Sequence, residues 1–285
     1  MADRLVSHSA GFTRFGRDAE TSADELGPLA DLVGTWIGSR GWELIAVPST
    51  DDLGELSFRV IIRPYVEVVT FVPIGAPVPD RGGPAGDLLL TGLKYEMRIA
   101  DAETNEPLHL ENGMWFYMAG QDREIARSSA IPHGDCLLAL GSSTTSSAAP
   151  DFPELKCTPD VPERFGYGEA EYRVDPDSPF QPLDANNTLR DDLSGLQVVE
   201  TVTLDVSTAN GGGVLNIPFV TQNANASAFA STYWIETVED STGQQFQQLQ
   251  YSQQTNIDFL PVNEDDPDGP LIMWPHVNVN TLRKQ

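Results

Sequence analysis

Apolar and polar residues alternate along most of this chain with the two-residue period of a β-strand. The C-terminal stretch "WPHVNVNTLRK" shows it well: Trp274, His276, Asn278 and Asn280 share one face, and Val277, Val279 and Thr281 the other. Such a polar row is either wet or lines an interior that needs polar groups. The same strand-like character, rich in β-branched and aromatic residues, marks "TWIGSRGWELIAV" (35–47), "LSFRVIIR" (56–63), "YVEVVTFV" (65–72) and "DLLLTGLKYEMRI" (87–99). It continues in "LHLENGMWFYMAG" (108–120) and "REIARSSAI" (123–131). Short turn signals separate several of these runs: "DDLG" at 51–54, "AETNEP" at 102–107 and "GQD" at 120–122. Consecutive strands joined by tight turns predict an antiparallel meander.

One short helix precedes the strands. Ser22 and Glu25 stand in capping-box positions, Pro28 suits a first helical turn and Gly34 stops the element. Residues 1–21 read as a polar, loosely ordered leader. From about Ser142 to Leu193 the alternation gives way to Pro, Ser, Asp and Gly, with Phe152, Leu155, Phe165, Tyr167 and Tyr172 as apolar anchors. That pattern predicts a long insertion packed over a single domain spanning 22–285, with a place across a cavity mouth as one option.

Strands resume with "LQVVETVTLDV" (196–206), "VLNIPFV" (214–220), "STYWIETV" (231–238), "QFQQLQYSQQTNIDFL" (245–260) and "LIMWPHVNVNTLR" (271–283). Between the last two, "DDPDG" (265–269) resembles the start of a calcium loop but lacks the closing Glu, so it reads as a turn. About ten strands, one short helix and no βαβ alternation predict an all-β, antiparallel barrel, because closure removes exposed sheet edges. Residues 196–220 are expected either to join the barrel or to decorate it. A barrel of about eight to ten strands has room for a small ligand inside.

Charge narrows the partners. With 17 Lys and Arg against 42 Asp and Glu, the net charge is −25, and such a surface repels phosphate backbones and anionic lipid. Nucleic acid and membrane are therefore not expected; a small molecule in the barrel is, and a homodimer stays open. The N-terminal stretch has no apolar secretory core, which makes the cytoplasm the expected compartment. Cys136 and Cys157 lack metal-type spacing and are expected to be reduced there, although the sequence leaves a disulfide open.

Chemical motifs are few. There is no P-loop, no H-E-x-x-H and no G-x-S-x-G, and "GYGEAE" lacks the third glycine of a dinucleotide fingerprint. Acidic residues are too numerous for any one pair to stand out. Of the four histidines, His8 lies in the leader, His109 in "PLHLENGMW" and His133 in the turn-like "IPHGD". His276 differs in sitting mid-strand beside Trp274.

Three segments in order, "LGPLADLVGTWIGSRGWE", "PLHLENGMWFYMAG" and "PHVNVNTLRK", resemble the nitrobindin-like haem-binding β-barrels, relatives in shape of the fatty-acid-binding calycins. The resemblance rests on Gly34-Thr35-Trp36, on His109, Glu111 and Gly113, and on His276, and it covers roughly 26–141 and 231–285. It implies a calycin-like barrel binding haem b, with His276 as the axial ligand to iron and nitric oxide or peroxynitrite as reactants. Trp274 and Trp36 would then offer apolar surface to the macrocycle and Arg40 would face its propionates. The other readings of the same barrel are a haem-free calycin holding a lipid or another small apolar ligand, with His276, Asn278, Tyr251 or Arg98 orienting its head, and an enzyme of secondary metabolism.

Overall fold

The computed structural model describes residues 23–50, 56–160 and 184–285. A short helix (Ala23–Leu26) and a 3-10 segment (Gly27–Leu32) lead into eleven strands: β1 (Gly34–Thr50), β2 (Leu56–Pro73), β3 (Val78–Arg81), β4 (Asp87–Asp101), β5 (Pro107–Tyr117) and β6 (Ile125–Ile131) come first. They are followed by β7 (Asp135–Ser146), β8 (Gln197–Asn216), β9 (Asn225–Glu239), β10 (Gln245–Pro261) and β11 (Leu271–Lys284). Neighbours run antiparallel in the order β2-β1-β11-β10-β9-β8-β7-β6-β5-β4-β3, and β2 also pairs with β4. That last pairing, from Tyr65 opposite Asp101 to Pro73 opposite Leu93, closes a ten-strand barrel and leaves β3 as a short extra strand on β4. The expected all-β, antiparallel barrel with a short N-terminal helix is the observed fold.

Several runs that look separate in sequence are single long strands. The segments 56–63 and 65–72 form β2, continuous across Pro64, which sits opposite Trp42. The runs from 197 to 206 and from 214 to 216 belong, with the residues between them, to one strand, β8, a full barrel strand rather than a decoration. Its register against β7 slips between Ser207 and Gly212. The stretch after it, expected as strand, is a short helix (Pro218–Asn223), because Pro218 takes the first helical turn, where its missing N–H costs nothing. β7 runs on through Ser146, whose Cα lies opposite Thr201 of β8.

Alternation along β4 shows how the barrel fills. Leu93, Tyr95, Met97 and Ile99 are buried, while Lys94, Glu96 and Arg98 between them are exposed. The inward side chains of all ten strands make one core with Trp36, Tyr65, Phe71, Trp115, Tyr233, Tyr251 and Leu282, capped at the Trp36 end by Leu26, Leu29 and Leu32. The Trp36 indole donates to the Leu32 carbonyl at 2.8 Å, tying plug to barrel.

A second apolar cluster lies outside the barrel wall. Leu44, Val277, Val279 and Trp234 meet Phe152, Cys157, Ala185 and Leu189 of the region between β7 and β8, with Phe152 edge-on to Trp234 at 4.8 Å. Both faces of β11 are therefore buried: Val277 and Val279 under this covering segment, and the His276 face toward the interior. The leader (1–21), His8, and Phe165, Tyr167 and Tyr172 of the insertion lie outside the described residues. Cys136 and Cys157 are not joined to one another by a disulfide.

Candidate functional site

The polar face of β11 points into the barrel. His276 is paired with Ile45 on β1 and Thr255 on β10, and Leu282, three places further along the same face, belongs to the central core. At the end of the barrel opposite the helical plug these residues border a pocket of about 260 Å³. It is lined by Glu43, His109, Glu111, His133, Asp135, Gln253, His276 and Asn278, with Ile99, Leu108, Ile131, Phe229 and Ile257 as apolar walls. Val220 and Ala224, on and just after the helix Pro218–Asn223, cover one side. Three of the four histidines thus converge on one cavity, from β5, the β6–β7 turn and β11.

Each of two imidazoles holds a carboxylate. His276 Nε2 lies 2.9 Å from Glu43 Oε1, and His109 Nε2 lies 3.2 Å from Glu111 Oε2. The His133 ring stands 5.4 Å from that of His109. Burial pushes the Glu43 carboxyl up, but the hydrogen bond and charge of His276, with help from Arg63 and His109, bring it below the ordinary value, so it is ionised at neutral pH. Glu111 is held far lower still, because Arg127 and His109 outweigh its complete burial.

Glu43 reaches the pocket only because β1 contains a bulge. Trp36 and Gly38 face inward, but the register shifts between Gly38 and Gly41, after which Gly41, Glu43 and Ile45 are the inward residues and Trp42 packs outside. The insertion of an extra residue reverses the parity of everything downstream. Gly41 is required at the turn of this bulge, since a Cβ there would lie 2.1 Å from the Tyr65 ring.

Behind the pocket the interior is filled. Arg127, fully buried, donates to Glu111 Oε1 at 2.8 Å, to the Tyr95 hydroxyl at 3.1 Å and to Gln253 Oε1 at 3.3 Å. Its guanidinium carbon lies 5.2 to 5.8 Å from the ring centres of Phe229, Tyr95, Tyr233 and Trp115. The Tyr95 hydroxyl also donates to Glu111. Removing one partner of such a buried pair costs roughly 3–5 kcal/mol, so this layer is a floor and not a passage. Deeper along β11, Asn280 and Tyr251 donate to Glu67 Oε2 at 2.8 and 2.6 Å, while Glu67 Oε1 is buried with no hydrogen-bond partner among the described residues.

Of the residues expected to surround a macrocycle, only His276 lines the pocket. Trp274 is buried against Phe259, stacked at 5.0 Å with its indole donating to the Phe259 carbonyl. Trp36 sits at the plugged end of the barrel. Arg40 projects from the bulge and pairs with Asp192 at 2.7 Å. Tyr251 is interior, whereas Arg98 faces outward and pairs with Glu96. Glu43, His133 and Asp135 were not singled out by sequence reasoning. Glu43 was hidden by the bulge, and the other two by a turn whose direction no periodicity gives. A larger hollow of about 920 Å³ lies over the outward residues Val68, Val72, Lys94, Glu96, Arg98 and Met114. It is an open surface groove whose charged groups, Lys94 and the Glu96–Arg98 pair, are exposed to solvent.

As placed, the pocket does not fit a porphyrin. Its volume falls below the roughly 300–1,000 Å³ of sites for drug-sized ligands. Propionates would meet Glu43, Glu111 and Asp135 with no Lys or Arg among the described lining residues, and the His276 nitrogen at Nε2 is engaged by Glu43. Among the described residues no three His, Cys, Asp or Glu side chains are grouped to hold a metal ion, and no helix is long and apolar enough to cross a membrane.

No curated protein matches the chain. Among solved structures, the crystal structure of Rv2717c from M. tuberculosis is similar at 16% identity and a TM-score of 0.46, covering 91% of this chain and 98% of that one. The family model described as "THAP4-like, heme-binding beta-barrel domain" matches residues 25–153, a span that includes Glu43, His109 and His133 and ends before His276. Over residues 25–153, a little under half of its length, the chain is thus similar to the THAP4-like, haem-binding β-barrel domains, the nitrobindin-like family its motifs resemble.

Proposed function

We propose that this barrel binds a small, uncharged organic molecule in the mouth pocket, between the imidazoles of His276 and His109. The observation that carries the reading is the convergence of three of the chain's four histidines on a cavity of about 260 Å³ that also has an apolar wall. Ile99, Leu108, Phe229 and Ile257 suit a carbon skeleton, and the carboxylates of Glu43, Glu111 and Asp135 reject an anion. Saturation-transfer NMR with small ring ketones and phenols tests it. Signals are expected with the wild type and lost in Val220→Trp, which fills the pocket from its covering helix. Equal signals from both proteins would show that binding occurs elsewhere and end the reading.

A second reading is favoured by the family match and by the inward direction of His276: haem b bound through His276, reacting with nitric oxide or peroxynitrite. It requires the pocket to widen and Glu43 to release Nε2. Titration with hemin separates the two. The first reading expects no Soret band that depends on His276; a stoichiometric band lost in His276→Ala would replace it with the second.

A further inference from the structure

Beneath the pocket the filled interior forms a continuous aromatic path. Trp115 and Tyr95 both stand against the Arg127 guanidinium, and Tyr95 donates to Glu111, which lines the pocket. The Tyr233 ring is 5.3 Å from Trp115 and stacks on Tyr251 at 5.1 Å, with 22° between the planes. At the far end the Tyr251 hydroxyl donates to Glu67 Oε2 at 2.6 Å, and the Tyr65 hydroxyl lies 2.8 Å from the Tyr251 oxygen. With the Tyr251 proton on the Glu67 bond, Tyr65 is the donor of that pair. All these side chains are buried. The Arg127 layer closes the interior to molecules, but electrons cross between rings in such contact without any atom moving.

We propose that this core is redox-active, with Tyr251 as the residue on which an oxidising equivalent comes to rest and Glu67 as the acceptor of its proton. A one-electron oxidant at the mouth draws an electron from Tyr251 by way of Trp115 and Tyr233. The Tyr251 O–H bond breaks, the proton passes along the existing hydrogen bond to Glu67 Oε2, and a neutral tyrosyl radical remains. The oxidant gains that electron, the carboxylate becomes a carboxylic acid, and atoms and charge balance. The other rings are worse resting places. Arg127 stands 5.8 Å from Trp115 and 5.5 Å from Tyr233 and opposes positive charge on either. The Trp115 N–H has no hydrogen-bond partner among the described residues, so its oxidised ring has nowhere to send a proton. Tyr95 has a carboxylate beside it, but Arg127 balances Glu111 and holds it far below the ordinary range, which makes it a poor acceptor. Glu67 accepts only from the neutral Tyr251 and Asn280, and burial pushes its carboxyl up to about 7, so its hold on a proton is stronger. Tyr65 and Tyr233 also face this pair, while His109 and Arg127 act on it from further off. The phenol keeps its proton until it is oxidised, since burial and Glu67 push Tyr251 well above its ordinary value.

Photochemically generated ruthenium(III) tris-bipyridine, a cation suited to the acidic mouth, is the oxidant, and rapid-freeze EPR reads the radical. The measurement is made at about pH 8, above the Glu67 value of about 7, so that the acceptor is ionised. The wild type is expected to give a tyrosyl signal whose power saturation is unchanged by soluble chromium oxalate, as befits a buried radical. Tyr251→Phe and Glu67→Gln should each remove most of that signal, whereas Tyr117→Phe should keep it. Thermal melts confirm that the variants fold. A wild type without a tyrosyl signal, or with one that chromium oxalate relaxes, overturns the proposal, and so does a full signal in a folded Tyr251→Phe or Glu67→Gln. Should Tyr251→Phe fail to fold, the wild-type saturation and Glu67→Gln decide between the same outcomes.

Discussion

Alternation within one strand is a local property, so the sequence grouped His276 with Asn278 and Asn280 on one face but left that face either wet or interior; the structure turns it inward, with Leu282. The partners of His276 were not legible, since His109, His133 and Glu43 come from remote segments brought together only by closure. Glu67 shows the cost of such an interior. Burial raises its carboxyl to about 7 against an ordinary 4.5, although Tyr251 and Asn280 donate to it. Below the unfolded value both states carry the proton and folding is unaffected. As pH rises through about 7 the fold must bury a charge or retain a proton the unfolded chain has released, so stability falls across that window. A gap of this size corresponds to about 3 kcal/mol. Glu236, raised by burial to about 8, acts in the same direction. Urea unfolding from pH 5 to pH 8 should show Glu67→Gln gaining on the wild type by about that amount; a constant difference would mean that Glu67 titrates as if exposed.

At the scale of elements, strand positions were well marked by β-branched and aromatic runs, while bulges and joins were not. Pro64 in β2 argued for a break, yet the strand passes through it, and three consecutive glycines accompany the register slip of β8 against β7. Propensity describes single residues, whereas register is decided by what packs across the sheet. The β1 bulge is the instance with chemical consequence, because it turns Glu43 toward His276. Gly41→Val would place carbon where the Tyr65 ring now lies. The ring must move, breaking its 2.8 Å hydrogen bond to the Tyr251 hydroxyl. A loss of roughly 1–3 kcal/mol is expected by urea unfolding, the range for overpacking a filled core. Ser39→Ala, on the exposed side of the same bulge, should be close to neutral.

The whole molecule joins a sealed core to an acidic surface. Closure into a barrel was predictable from strand number and the absence of βαβ units, although not the β2–β4 pairing that makes it; of the residues that cover β11, Phe152 was readable only as an apolar anchor without an address, and Cys157 and Leu189 were not marked at all. The charge was plain from composition, and its consequence is energetic. Seventeen cationic side chains cannot pair with forty-two anionic ones. Surface pairs such as Arg81 with Asp87 and Arg98 with Glu96 are exposed and contribute little. Folding concentrates the unpaired carboxylates on one small body, so their mutual repulsion opposes the compact state. Raising NaCl from about 10 mM to about 150 mM shortens the screening length from about 30 Å to about 8 Å, which silences repulsion across the barrel but leaves the buried Arg127–Glu111 pair almost untouched. The urea midpoint should therefore rise with salt at unchanged slope, by ~1 kcal/mol in stability, the scale on which surface charges act. A midpoint that falls would mean that exposed ion pairs, not unpaired carboxylates, dominate the surface.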